Sequence, residues 1–167
     1  MKTPFILAAA LTALSFSSAF AGDADTLYIP ASVPYMEGLR VRQNIKDDCA
    51  LEQRIADDVA HNAGSVYSRV VREKPTGAHH VLEMEITDVF GAGGGSWSGP
   101  KNLEVRGTLK DQSGKSLGTF TARRYSMGGV MGGLKGTCGI LRRISKALGK
   151  DIATFLVAPE HGVSLGD

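Results

Sequence analysis

Apolar positions recur along this chain at two periods, and each period predicts an element. Between Cys138 and Pro159, Ile140, Leu141, Ile144, Leu148, Ile152 and Phe155 follow one another mostly at steps of three and four. That spacing puts them on one face of a helix. Pro159 ends the run, because proline cannot continue the hydrogen-bond ladder. Leu51, Ile55 and Val59 step by four, with Ala56, Ala60 and Ala63 beside them, and predict a shorter helix closed by Gly64. Asp47 and Asp48 precede it as N-cap and first-turn acids.

Alternation marks the strands. Leu39, Val41 and Ile45 alternate with Arg40, Arg42 and Asn44, predicting a half-buried strand. Val66 to Arg72 is rich in β-branched residues. Leu82, Met84, Ile86 and Phe90 alternate with Glu83, Glu85 and Thr87, the clearest strand pattern in the chain. Leu103, Val105 and Leu109 predict the next strand, Asp111 to Gly114 a hairpin turn, and Leu117 to Tyr125 the return. Leu27 and Ile29 also alternate, but Pro30 and Pro34 restrict them to an edge strand or extended coil.

Two helices and these strands predict an α+β domain in two layers. Its sheet is mostly antiparallel, of four to five strands, with both helices packed on one face. The domain spans residues 39–159. An extended lead-in covers 22–38, and 160–167 is a loose tail. One conflict stands. If Val66 to Arg72 pairs up-and-down with the next strand, the two helices start at opposite ends of the sheet. A disulfide between the two helix starts needs both at one end, so either that segment is an edge strand joined by a short crossover or the helix starts are not bridged.

Residues 1–21 have the pattern of a cleaved signal peptide: Lys2, an apolar core from Phe5 to Leu14, and Ala19-Phe20-Ala21 as a small-x-small site. The mature chain then begins at Gly22 in the periplasm or outside the cell, without a transmembrane segment. Cys49 and Cys138 are its two cysteines, and in an oxidising compartment they are candidates for a disulfide. Two free thiols are the alternative. Without Lys2 the formal charge falls from +2 to +1, near neutral, which argues for neither nucleic acid nor a membrane surface, and no nucleic-acid partner is expected.

Little in the chain points to catalysis. The glycine-rich run from Ser126 to Gly136 departs twice from a phosphate loop. Leu134 separates Gly133 from Lys135, and Gly136 separates Lys135 from Thr137. There is no Gly-x-Ser-x-Gly elbow. Glu83 and Glu85 read as a solvated strand face, and His61, His79, His80 and His161 as surface residues without metal-ligand spacing. No cofactor is implied, and the chain reads as non-enzymatic.

Two stretches are candidate contacts. Gly132, Gly133 and Gly136, with Lys135, Arg142, Arg143 and Lys146, gather where the second helix begins. Cations there oppose the helix dipole, so something negative should compensate. That is a small anion, a lipid head group, a partner protein of the envelope, or Asp47 and Asp48 brought close by the disulfide. Trp97, in the glycine-rich loop before Pro100, is either a recognition residue or a cap on the core.

The order of helix after the first strand, then a meander, then a closing helix resembles small exported envelope domains such as the TolB amino-terminal domain. It is also similar to domains in envelope proteins of unknown function. The resemblance implies a binding or assembly role in the bacterial envelope and transfers no functional residues.

Overall fold

The computed structural model describes residues 25–91, 100–126 and 136–166. In chain order the elements are β1 (Thr26–Tyr28), α1 (Gln43–Cys49), α2 (Leu51–Ala63), β2 (Arg69–Val71), β3 (His80–Gly91), β4 (Lys101–Lys110), β5 (Ser116–Ser126), α3 (Gly136–Val157) and β6 (Val163–Gly166). The sheet order is β2-β1-β3-β4-β5-β6. β1 pairs in parallel with both β2 and β3, and β6 pairs in parallel with β5. The β3–β4 and β4–β5 pairs are antiparallel. All strands but β4 therefore point the same way.

The sheet is thus mixed, not mostly antiparallel, and among the described residues three helices take the place of the expected two. The reason is a pair of crossovers. α1 and α2 link β1 to β2, and α3 links β5 to β6. A parallel pair requires such a connection, whereas a two-residue turn suffices for an antiparallel one. α2 and α3 consequently run parallel to each other on one face of the sheet. Both start beyond the carboxyl ends of the strands. The conflict over helix starts disappears as well. β2 sits at the sheet edge on the far side of β1, and the segment after Val71 crosses back to start β3.

Four local expectations are corrected. Leu39 to Ile45 is not a strand; Gln43–Cys49 is helical, with Ile45 and Cys49, four apart, both buried. Asp47 and Asp48 close α1 and do not open α2, whose N-cap is Ala50 in the left-handed conformation, φ 46°. The left-handed residue is what separates α1 from α2. The lead-in is part of the core: Leu27, Ile29 and Val33 are fully buried, and β1 is an inner strand with neighbours on both sides. Residues 163–166 of the expected tail form β6, registered from Phe120↔Val163 to Arg123↔Gly166.

A fifth correction concerns Phe90. Strict alternation from Leu82 places it inside, yet it is 50 % exposed. The β3–β4 register shifts between Ile86 and Asp88, so Val89 takes the buried position in its place. An extra residue in one strand flips every later side chain to the other face.

The rest of the pattern holds. Ile140, Leu141, Ile144, Leu148, Ile152 and Phe155 are all buried on α3. They pack against Leu103, Val105, Leu109, Phe120 and Ala122 from the sheet in one core. On the opposite face Glu85 pairs with Arg106, Glu83 with Lys110, and Arg123 with Glu104. These cross-strand pairs occupy Glu83 and Glu85, as a solvated strand face would.

Candidate functional site

Cys49 and Cys138 are bonded, with Cα atoms 4.9 Å apart. The bond ties the α1–α2 junction to the first turn of α3. Lower down, the same two helices touch through small residues. A Cβ added to Gly149 would lie 2.7 Å from the backbone oxygen of Asp58, so the helices meet there almost backbone to backbone. One turn earlier, Ser145 is fully buried and donates its hydroxyl to Asp58 Oδ2 at 2.6 Å. α3 is therefore held against α2 at both ends of a short stretch.

Between those two fixings lies a groove of about 580 Å³, lined by Arg54, Asp58, Gly139, Arg142, Arg143 and Lys146. Arg142, Arg143 and Lys146 are exposed, and Arg54 and Asp58 are half-buried. Arg54 comes from the second turn of α2, Arg142 and Arg143 from the second turn of α3. Arg142, Arg143 and Lys146 lie past the first turn of α3, where the helix dipole has fallen off, so the repulsion in the groove is among the cations themselves. Among the described residues none of the four forms an ion pair. Among the described residues Asp58 is the one carboxylate in the lining, and it already accepts from Ser145.

Of the residues singled out in the sequence, Arg142, Arg143 and Lys146 come together in this groove. Gly136 begins α3 with φ 63°, a conformation that suits glycine. Gly132, Gly133, Lys135 and Trp97 lie outside the described residues, as does the signal-like segment 1–21. Among the described residues the expected neutralisation by Asp47 and Asp48 is not found; Lys135, one of its expected partners, lies outside them. Asp47 accepts a hydrogen bond from Gln43 at 2.8 Å, and among the described residues neither acid pairs with a cation. Arg54, Asp58 and Ser145 were not anticipated. Arg54 could have been found by setting the two helices parallel from the disulfide and matching second turn to second turn.

Two basic side chains among the described residues are buried. Lys101 opens β4 on the core side and is fully buried. Burial, with Arg42 nearby, holds its ammonium below the usual lysine range. His79, expected on the surface, is buried. No group of three or more His, Cys, Asp or Glu side chains among the described residues is placed to hold a metal ion. No helix among them is long and apolar enough to cross a membrane.

No family model matches the chain, and no curated protein does. Solved structures give distant likenesses. A minor lipoprotein from Acinetobacter baumannii is 14 % identical, with a TM-score of 0.48, over 80 % of this chain and 93 % of that one. A PelC dodecamer from Paraburkholderia phytofirmans is 11 % identical, with a TM-score of 0.44, over 76 % of this chain and 87 % of that one. A variant of the same PelC gives 13 %, 0.45, 76 % and 85 %. Likeness at this level carries no argument about activity.

Proposed function

We propose that this chain is an exported, non-enzymatic binding protein of the cell envelope that takes an anionic group into the groove between α2 and α3. The observation that supports it is the groove itself: Arg54, Arg142, Arg143 and Lys146 share one lining without an ion pair among the described residues. Like charges brought together on rigid helices repel, and a ligand that neutralises them recovers that cost. The planar guanidinium fork of an arginine suits the paired oxygens of a phosphate or carboxylate. The envelope setting rests on the signal-like residues 1–21 and on the disulfide.

Phosphate is the shared chemistry of a lipid head group and a free anion, and two measurements separate them. Co-sedimentation with vesicles containing phosphatidylglycerol, against phosphatidylcholine alone, reads the first. Calorimetry with inorganic phosphate reads the second. The double variant Arg142→Glu, Arg143→Glu should abolish whichever binding is found, and added salt should weaken it. Equal vesicle binding by the wild type and this variant, together with no phosphate heat, would overturn the reading.

A further inference from the structure

The bulge in β3 does more than move Val89 inward. It turns Phe90 out onto the face of the sheet turned away from the helices. Re-aiming a side chain beside a site is a recurrent use of bulges. Phe90 lies opposite Asn102 across β3 and β4, and Asn102 lies opposite Tyr125 across β4 and β5. Directly opposed residues share a face, so the three form one row with an amide between two aromatic rings. Phe90 is 50 % exposed and Tyr125 55 %. Apart from Val157 at the end of α3, they are the large hydrophobic side chains that stand exposed among the described residues.

The next row along the face is polar. Asn102 donates through Nδ2 to Asp88 Oδ2 at 2.6 Å. Arg123 holds Glu104 at 3.0 Å and lies 3.8 Å from Asp88. One arginine between two carboxylates leaves little net charge to attract an ion. The side chains of Arg123 and Asp88 are nevertheless 52 % and 40 % exposed, so their polar atoms can be reached by a ligand lying on the aromatic row. A flat apolar pair with hydrogen-bonding groups along one side fits a ligand that is apolar on its faces and polar at its rim. A pyranose ring is such a body. Its axial C–H groups rest on the negative face of an aromatic ring, and its equatorial hydroxyls reach sideways. Phe90 and Tyr125 stand two strand spacings apart, about 9–10 Å, which suits alternate rings of an extended sugar chain, with the ring between them over Asn102. A protein partner fits less well. Two half-exposed rings offer roughly 200 Å², against the about 1,200 Å² that a stable protein interface buries.

We propose that the row Phe90–Asn102–Tyr125 binds a neutral, extended oligosaccharide. The two rings stack on alternate sugars, and Asp88 and Arg123 take hydrogen bonds from and to the hydroxyls along the chain's edge. The site lies on the other side of the sheet from the anion groove and does not depend on it.

Two neutral probes of equal length test this: cellohexaose, which is extended, and maltohexaose, which coils. Each is titrated into the full chain while the ring protons of Phe90 and Tyr125 are followed by NMR. Cellohexaose should shift both rings saturably and bind more tightly than maltohexaose. Phe90→Ala and Tyr125→Ala should each weaken cellohexaose about tenfold, the worth of one stacked ring. Both side chains are half-exposed, so these variants should keep the wild-type circular dichroism. Val157→Ala, which removes an exposed side chain elsewhere, should leave the affinity unchanged. Binding of neither sugar, equal binding of both, or full affinity in the two aromatic variants would overturn the proposal. So would sedimentation showing a dimer that Phe90→Ala dissociates, since the row would then be an interface between copies of the chain.

Discussion

Ser145 of α3 donates its hydroxyl to the carboxylate of Asp58 of α2, 2.6 Å away and 87 residues apart in sequence. The contact crosses the seam that also forms the floor of the cationic groove. Ser145→Ala removes a hydrogen bond to a charged acceptor, worth about 1.5–3 kcal/mol. The freed carboxylate then competes for the groove cations. We expect both a lower denaturation midpoint and weaker anion binding, read by chemical unfolding and calorimetry on the same variant. A loss of stability with anion affinity intact would separate Asp58 from the groove.

Gly149→Ala sets two effects against each other. Intrinsic helix preference favours alanine by about 1 kcal/mol. The new Cβ, however, would lie 2.7 Å from the Asp58 backbone oxygen, and a backbone cannot swing aside as a side chain can. Overpacking of this kind costs about 1–3 kcal/mol. The clash should win, giving a net loss of stability in thermal unfolding. A more stable variant would show that the helices part without cost.

The disulfide should contribute strongly. Its cysteines are 89 residues apart, and chain-entropy arithmetic for a loop of that size allows at most about 4–5 kcal/mol. Replacing both cysteines with serine should lower the urea midpoint markedly under oxidising conditions. Reductant should shift the wild type in the same direction and leave the variant unmoved. Identical curves for the two proteins without reductant would refute this.

Asp25 gives a prediction in pH. The side-chain hydroxyl of Ser68, then its backbone N–H, hold the Asp25 carboxyl below its ordinary value. A group depressed in this way adds stability above its unfolded-chain value. That contribution is lost as pH falls through the folded value. Ser68→Ala should raise the Asp25 midpoint toward that of a free aspartate in an NMR titration. Stability should then depend less on pH across that acid window. An unmoved midpoint would show that the hydroxyl is not responsible.

What could be read in advance followed from periodicity. The α3 face from Ile140 to Phe155 and the alternation of β4 and β5 were legible because each is long and one-sided. Short elements were not. β1 and β6 have three and four residues, too few for a pattern, and they exist because a crossover delivers them to a waiting strand edge. The sense of pairing was hidden for the same reason: nothing in Leu27 or Val163 reveals whether its neighbour runs with it or against it. Phe90 was misplaced because a bulge changes the count without changing the residues. For the groove, Arg142, Arg143 and Lys146 could be seen as a cluster on one helix. Arg54, Asp58 and Ser145 join them only through the packing of α2 on α3.

The crossover architecture also bears on how the chain reaches this state. The β4–β5 pair closes across a short turn and can form early, since little chain entropy is lost. The parallel edges cannot. Thr26 meets Arg69, and Phe120 meets Val163, only after whole helices have been laid down between them. Cys49 sits in the first of these connections and Cys138 in the second. Oxidation thus joins these two long connections to each other. A chain oxidised before folding would begin with both excursions already tethered, and one folding in reducing surroundings would have to find each of them alone.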